Sequence, residues 1–168
     1  MFITVDPAMI DYKEDLRMYG VGYHATADSI DFVERYNEEA RDGLVVDIYS
    51  PCNSLDLLRS FYSEEIVGVR IHSVAFFLKH SNEDPFVMKS SGTLLRLIDA
   101  WLPEWKEERR RKHPGPETEK RIACADALHE KALAFFRKHP NSAFIPSVVL
   151  NKIIDAWRKS FFSNSSIN

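Results

Sequence analysis

Apolar positions along most of the chain recur at three- and four-residue spacing, which predicts helices. A helix is expected over about residues 7–19, where Asp6-Pro7 forms a start signal and Gly20 and Gly22 a stop. A second is expected from Thr26 or Asp28 to Gly43, with Ile30 and Val33 inward and Asp31, Glu34, Glu38, Glu39 and Asp42 on the solvent side. Leu55, Leu58, Phe61 and Tyr62 predict a third, and residues 64–80 a fourth that carries Phe76 and Phe77. Leu94, Ile98 and Trp101 share one face of a helix over 93–102, and Pro103 is expected to kink or restart it. Helices over 117–138 and 147–162 complete the series. Residues 44–49, Leu-Val-Val-Asp-Ile-Tyr, fit either a strand pairing with residues 2–5 or a short buried helix.

Within this pattern one unit occurs twice. Residues 75–82 and 134–141 agree at six of eight positions, and Ile98-Asp99-Ala100-Trp101 repeats in full as Ile154-Asp155-Ala156-Trp157. The offsets are 59 and 56, so one three-residue loop deletion relates the copies. The expected fold is therefore mainly α: a helical bundle with a duplicated two-helix unit around a pseudo-two-fold, with a short β-ribbon from 2–5 and 44–49 as one option. The expected parts are an acidic helical segment (1–63), unit 1 with a basic extension (64–112) and unit 2 (117–162), joined by His113-Pro114-Gly115-Pro116 in one domain. Among the matched positions, His80 and His139 suit helix C-termini, Asp99 and Asp155 the solvent side, and Trp101 and Trp157 the core. All six read as structural.

Composition adds an asymmetry. Residues 1–63 hold 12 acids and 5 bases, whereas 64–168 hold 13 acids and 17 bases. Cys52 and Cys124 form no paired motif, which suggests reduced thiols in a cytoplasmic setting. No leader-like start and no apolar run of about 20 residues is present, so neither export nor a membrane is expected.

Candidate chemistry is sparse. Gly22-Tyr23-His24-Ala25-Thr26 resembles, over these few residues, the His-x-Thr of ADP-ribosyltransferases and of two-histidine phosphoesterases. The second family implies another such motif, which His72-Ser73-Val74 does not supply. The first implies a strand-rich fold, whereas the last hundred residues read as helices. Thr26 as a helix cap is the preferred reading. The six histidines show neither His-x3-His nor His-Glu-x-x-His, and Ser90-Ser91-Gly92-Thr93 lacks a phosphate-loop lysine, so no metal and no cofactor is expected. The better candidate is the basic run Lys106, Arg109, Arg110, Arg111 and Lys112, with Lys120 and Arg121 beyond the linker. These residues suit an acidic protein surface or nucleic-acid phosphates. The expected function is that of a non-enzymatic interaction module that binds another protein, or itself, through a groove or rim of the helix pairs. A nucleic-acid-associated regulator using 106–121 is the alternative, and a small enzyme using His24 the third reading.

Overall fold

The computed structural model describes residues 7–34, 44–49, 54–60, 65–80, 88, 90–140 and 144–165. They form α1 (Pro7–Tyr19), β1 (Val21–His24), β2 (Ser29–Val33), β3 (Leu44–Tyr49), β4 (Leu55–Ser60), β5 (Ile66–His72), α2 (Val74–His80), α3 (Ser91–Lys112), α4 (Pro116–Lys138) and α5 (Ser147–Ser165). The five strands make one antiparallel sheet in the order β1-β2-β5-β4-β3. The fold is thus α+β, and the expected helical bundle is wrong.

The error has a physical origin in three places. Ile30 and Val33, three apart, suggested one helical face, yet in β2 they lie on opposite faces of the sheet. Ile30 and Phe32 join the main core, while Val33 packs with Leu16 and Leu58 on the other side. In β4, Leu55 and Leu57 face the main core while Asp56 and Leu58 face the other side, and the adjacent Leu57-Leu58 interrupts the alternation. Residues 66–72 form a β-branched strand that feeds directly into α2, and the two together were read as one helix. Residues 44–49 are indeed a strand, but they pair with β4. The suggested partner, 2–5, lies outside the described residues. The segment 1–63, expected to be helical, contributes one helix and four strands among its described residues.

The main core lies between one sheet face and the last four helices. Val21, Tyr23, Ile30, Phe32, Val69 and Ile71 meet Phe77, Leu94, Ile98, Leu128, Phe136 and Ile153 there. Each such side chain contributes roughly 1.5–3 kcal/mol by leaving water. Helix α4 lies on β4 and β5, α5 reaches edge strand β1, and α2 packs on α3 and α5. The two helix pairs therefore occupy unlike places, and no pseudo-two-fold relates them. Ala75 is buried where its match Ala134 is exposed, and Phe76 is exposed where Phe135 is buried. The second block keeps its environment: Ile98 and Ile154 point inward, Asp99 and Asp155 outward, and Trp101 and Trp157 are half-buried.

Pro103 does not break α3, which runs through it for 22 residues. Leu94, Ile98, Leu102 and Trp105 form one buried stripe on both sides of the proline. Their burial outweighs the roughly 3 kcal/mol that an interior proline costs. At the other end of the chain, α1 stops at Gly20, whose φ is 73° and whose N–H donates to the Leu16 carbonyl at 2.9 Å.

Helix α1 covers β1 and β2 on the second face of the sheet. Gly22 is required there, because a Cβ would stand 2.8 Å from the Tyr12 carbonyl oxygen. Under this helix Asp31, 1% exposed, takes a forked ion pair from Arg70 at 2.7 and 3.0 Å, and the Tyr12 hydroxyl also donates to it. His72 bonds the buried Asp56 at 2.6 Å on the neighbouring strand.

Two outcomes follow from this packing. Arg70→Ala strips the fork from a buried carboxylate and should lower unfolding stability in urea by about 3 kcal/mol. Burial, reinforced by Asp31, pushes the Tyr12 phenol up from its ordinary range, and burial with Asp28 does the same for Tyr23. Both phenols stay protonated in the fold, whereas an unfolded tyrosine ionises near pH 10 (about). Their contribution to stability is therefore intact below about pH 10 and lost as pH rises beyond it. In an alkaline titration the late fraction of tyrosinate absorbance should appear together with loss of circular dichroism.

Candidate functional site

The basic run and the Pro-Gly-Pro segment build one feature, an antiparallel hairpin of α3 and α4. The expected linker is its tight turn. Gly115 adopts φ 138°, Pro116 opens α4, and the Thr118 hydroxyl donates to the His113 carbonyl across the turn. Below the turn, Leu102, Trp105, Ile122 and Ala125 form a small core separate from the main one.

At this end lies an open cleft of about 430 Å3, lined by Trp105, Arg109, His113, Glu117, Thr118 and Arg121. The Arg109 guanidinium sits over the Trp105 ring, 5.8 Å from its centroid, which holds the charge at the rim. The seven sequence-predicted cations divide sharply. Lys106 pairs with Asp126 at 2.8 Å, Arg110 with Glu119 at 2.9 Å, Lys112 with Glu108 at 2.7 Å and Lys120 with Glu117 at 3.7 Å. The Lys112 ammonium holds the Glu108 carboxyl below its ordinary range, and the Arg110 guanidinium does the same for Glu119. Arg109, Arg111 and Arg121 form no ion pair among the described residues. Two of those three, Arg109 and Arg121, line the cleft. Lys112–Glu108 and Lys120–Glu117 join neighbours on one helix, whereas Lys106–Asp126 and Arg110–Glu119 cross between the helices and depend on how the two face each other.

The remaining candidates are dispersed. His139 closes on Glu34 at 4.0 Å and stacks beside Phe135 at 4.9 Å, on a second cleft of about 450 Å3 that also takes in Lys131, Lys138 and Glu65. The side chain of His80 lies outside the described residues. Trp101 packs against Phe77 at 5.3 Å in the core, and Asp155 is exposed. His24 ends β1, and its Nδ1 accepts from the Ala27 N–H at 3.1 Å within the β1–β2 turn. Thr26 therefore lies in a turn and caps no helix. Asp99 has a partner that the repeat did not suggest: its Oδ1 lies 3.6 Å from Nδ1 of His129, whose Nε2 lies 3.1 Å from the Ser54 hydroxyl. Nothing in the spacing of Ser54, Asp99 and His129 signalled this, since the sheet and both hairpin helices must form first.

Among the described residues, no group of three or more His, Cys, Asp or Glu could hold a metal ion, and no helix is long and apolar enough to cross a membrane. No family model, no curated protein and no solved structure matches the chain.

Trp105 is the anchor of the small core, so its truncation should be felt locally. Trp105→Ala is expected to cost about 3–5 kcal/mol. Amide exchange should rise across 102–125 first and leave the strands protected.

Proposed function

We propose that the protein is a binding module that takes an acidic segment of another protein at the tip of the α3–α4 hairpin. The observation that carries this reading is the pair Arg109 and Arg121, uncompensated beside Trp105 in an open cleft while the neighbouring cations are neutralised. An arginine already placed over an aromatic ring loses little freedom when it forks onto a carboxylate. Thr118 and His113 add polar contacts at the same wall. The hairpin also joins one helix of each matched pair, α3 and α4.

A protein partner suits the tip better than a nucleic acid. Between residues 104 and 121 seven cations are interspersed with five carboxylates, and Glu117 stands in the cleft wall. Such a surface has no continuous positive stripe to follow a phosphate backbone. It suits one or two carboxylates set at fixed positions. The exposed free thiol of Cys124 on α4 favours a reducing, intracellular location.

Fluorescence anisotropy with a labelled Asp/Glu-rich peptide and with labelled single- and double-stranded nucleic acids separates the readings. The peptide should bind, and Arg109→Ala with Arg121→Ala should weaken it at least about tenfold, the loss of one or two charge-assisted bonds. Arg110→Ala, whose guanidinium is already occupied by Glu119, should have little effect. Salt-sensitive binding of nucleic acid, with no binding of the peptide, would replace this reading by that of a nucleic-acid-associated regulator.

A further inference from the structure

The second cleft, of about 450 Å3 at the C-terminal end of α4, has walls of opposite charge. Glu34 directly follows β2 and Glu65 directly precedes β5, so neighbouring strand ends bring two carboxylates to one side. Backbone bonds fix both positions. The Glu34 N–H donates to the Val67 carbonyl, and the Glu65 carbonyl accepts from the Ser60 N–H, each at 2.9 Å. Lys131 and Lys138 stand on the other side. Seven residues apart, they share one face of α4 and lie about 10 Å apart along its axis. Ala134 between them is small and exposed, which leaves room above the helix. Phe135 and Ile66 add apolar surface, and the His139 ring lies beside Phe135.

Facing charges on flexible side chains commonly close on one another, and here they do not. Among the described residues neither lysine ammonium makes an ion pair or a hydrogen bond. The Glu34 carboxylate approaches Nδ1 of His139 only to 4.0 Å, beyond hydrogen-bond reach. The open space between the walls selects what can occupy it. A simple anion meets Glu34 and Glu65, and a simple cation meets Lys131 and Lys138. A small molecule that carries both charges satisfies the two walls at once. The volume is that of a small-molecule site, about 300–1,000 Å3.

We infer that this cleft binds a free α-amino acid with an aromatic or large aliphatic side chain. The ligand ammonium lies against Glu34 and Glu65, its carboxylate against Lys131 and Lys138, and its side chain against Phe135 and Ile66. The site shares no residue with the cleft at the hairpin tip, and Lys138 stands about 25 Å along α4 from Arg121. It therefore stands or falls independently of the binding role proposed there.

The isotope-labelled full chain is titrated with L-phenylalanine while its amide resonances are followed. The shifts should saturate and concentrate at residues 34, 65–66 and 131–139. Glycine offers both charges without a side chain and should bind at least about tenfold more weakly. N-acetylphenylalanine lacks the ammonium and phenylalanine amide lacks the carboxylate, and each should lose about tenfold or more. Glu34→Gln with Glu65→Gln should weaken phenylalanine by a similar factor and remove its advantage over the N-acetyl compound. Lys131→Gln with Lys138→Gln should remove its advantage over the amide. All four side chains reach the surface, so both variants should keep the wild-type melting temperature. The inference is overturned if millimolar phenylalanine leaves the folded protein unshifted or shifts residues elsewhere. It is equally overturned if either singly charged analogue binds as tightly as phenylalanine, or if both double variants bind like the wild type.

Discussion

One face of a five-stranded antiparallel sheet has to be kept from water, and the positions of the later helices answer to that demand. Phe32 and Phe136 meet edge to face at 5.3 Å across the interface, and Ile30, Ile71, Ile98 and Ile153 fill the space around them. Because α4 must lie on β4 and β5 to close this core, its other end is carried beyond the sheet together with α3. The hairpin tip owes its position to that arrangement. So does the row from Ser54 to Asp99, which exists only where the sheet and both hairpin helices have come together.

The two faces of the sheet are stabilised by different means. The helix-covered face is apolar and works through burial, whereas the α1 face sets Asp31, Arg70, Asp56 and His72 side by side on adjacent strands. Buried carboxylates tolerate only partners placed at hydrogen-bond distance. They therefore discriminate between strand registers: a slip of one residue would turn Asp31 into the apolar core and take Arg70 out of reach. The polar face contributes modestly to stability but strongly to the choice of pairing.

How far the sequence disclosed this depends on the element. Helices α1, α4 and α5 were legible, because each has a clear start signal or one continuous apolar stripe. The continuity of α3 was not legible. Proline at 103 is a strong local signal, and only the buried run from Leu94 to Trp105 shows why it is overridden. The strands were missed because β2 and β4 are short and each breaks its alternation with two adjacent apolar residues, Phe32-Val33 and Leu57-Leu58. The duplication at Phe76-Phe77 and Phe135-Phe136 is real as a string of letters. Its first copy is a seven-residue helix against other helices, and its second ends a 23-residue helix on the sheet. Of the functional candidates, the basic run was found by composition. That Lys106 and Arg110 are neutralised depended on Asp126 and Glu119 across the hairpin. The buried fastening of Ser54 to His129 joins residues 75 apart that share no motif.

The proline inside α3 has one more consequence. Residue 103 cannot donate to the Asp99 carbonyl, so the helix lacks one rung where its contacts pass from the main core to the small core of Leu102, Trp105, Ile122 and Ala125. Side chains on the far side of that gap are held by few neighbours, and those on the near side by many. Cooperativity divides at such a boundary. Such a boundary would let the outer half of the hairpin open and reform on its own while the sheet stays folded. A partner seated at the tip would then be sensed as order restored to that half alone.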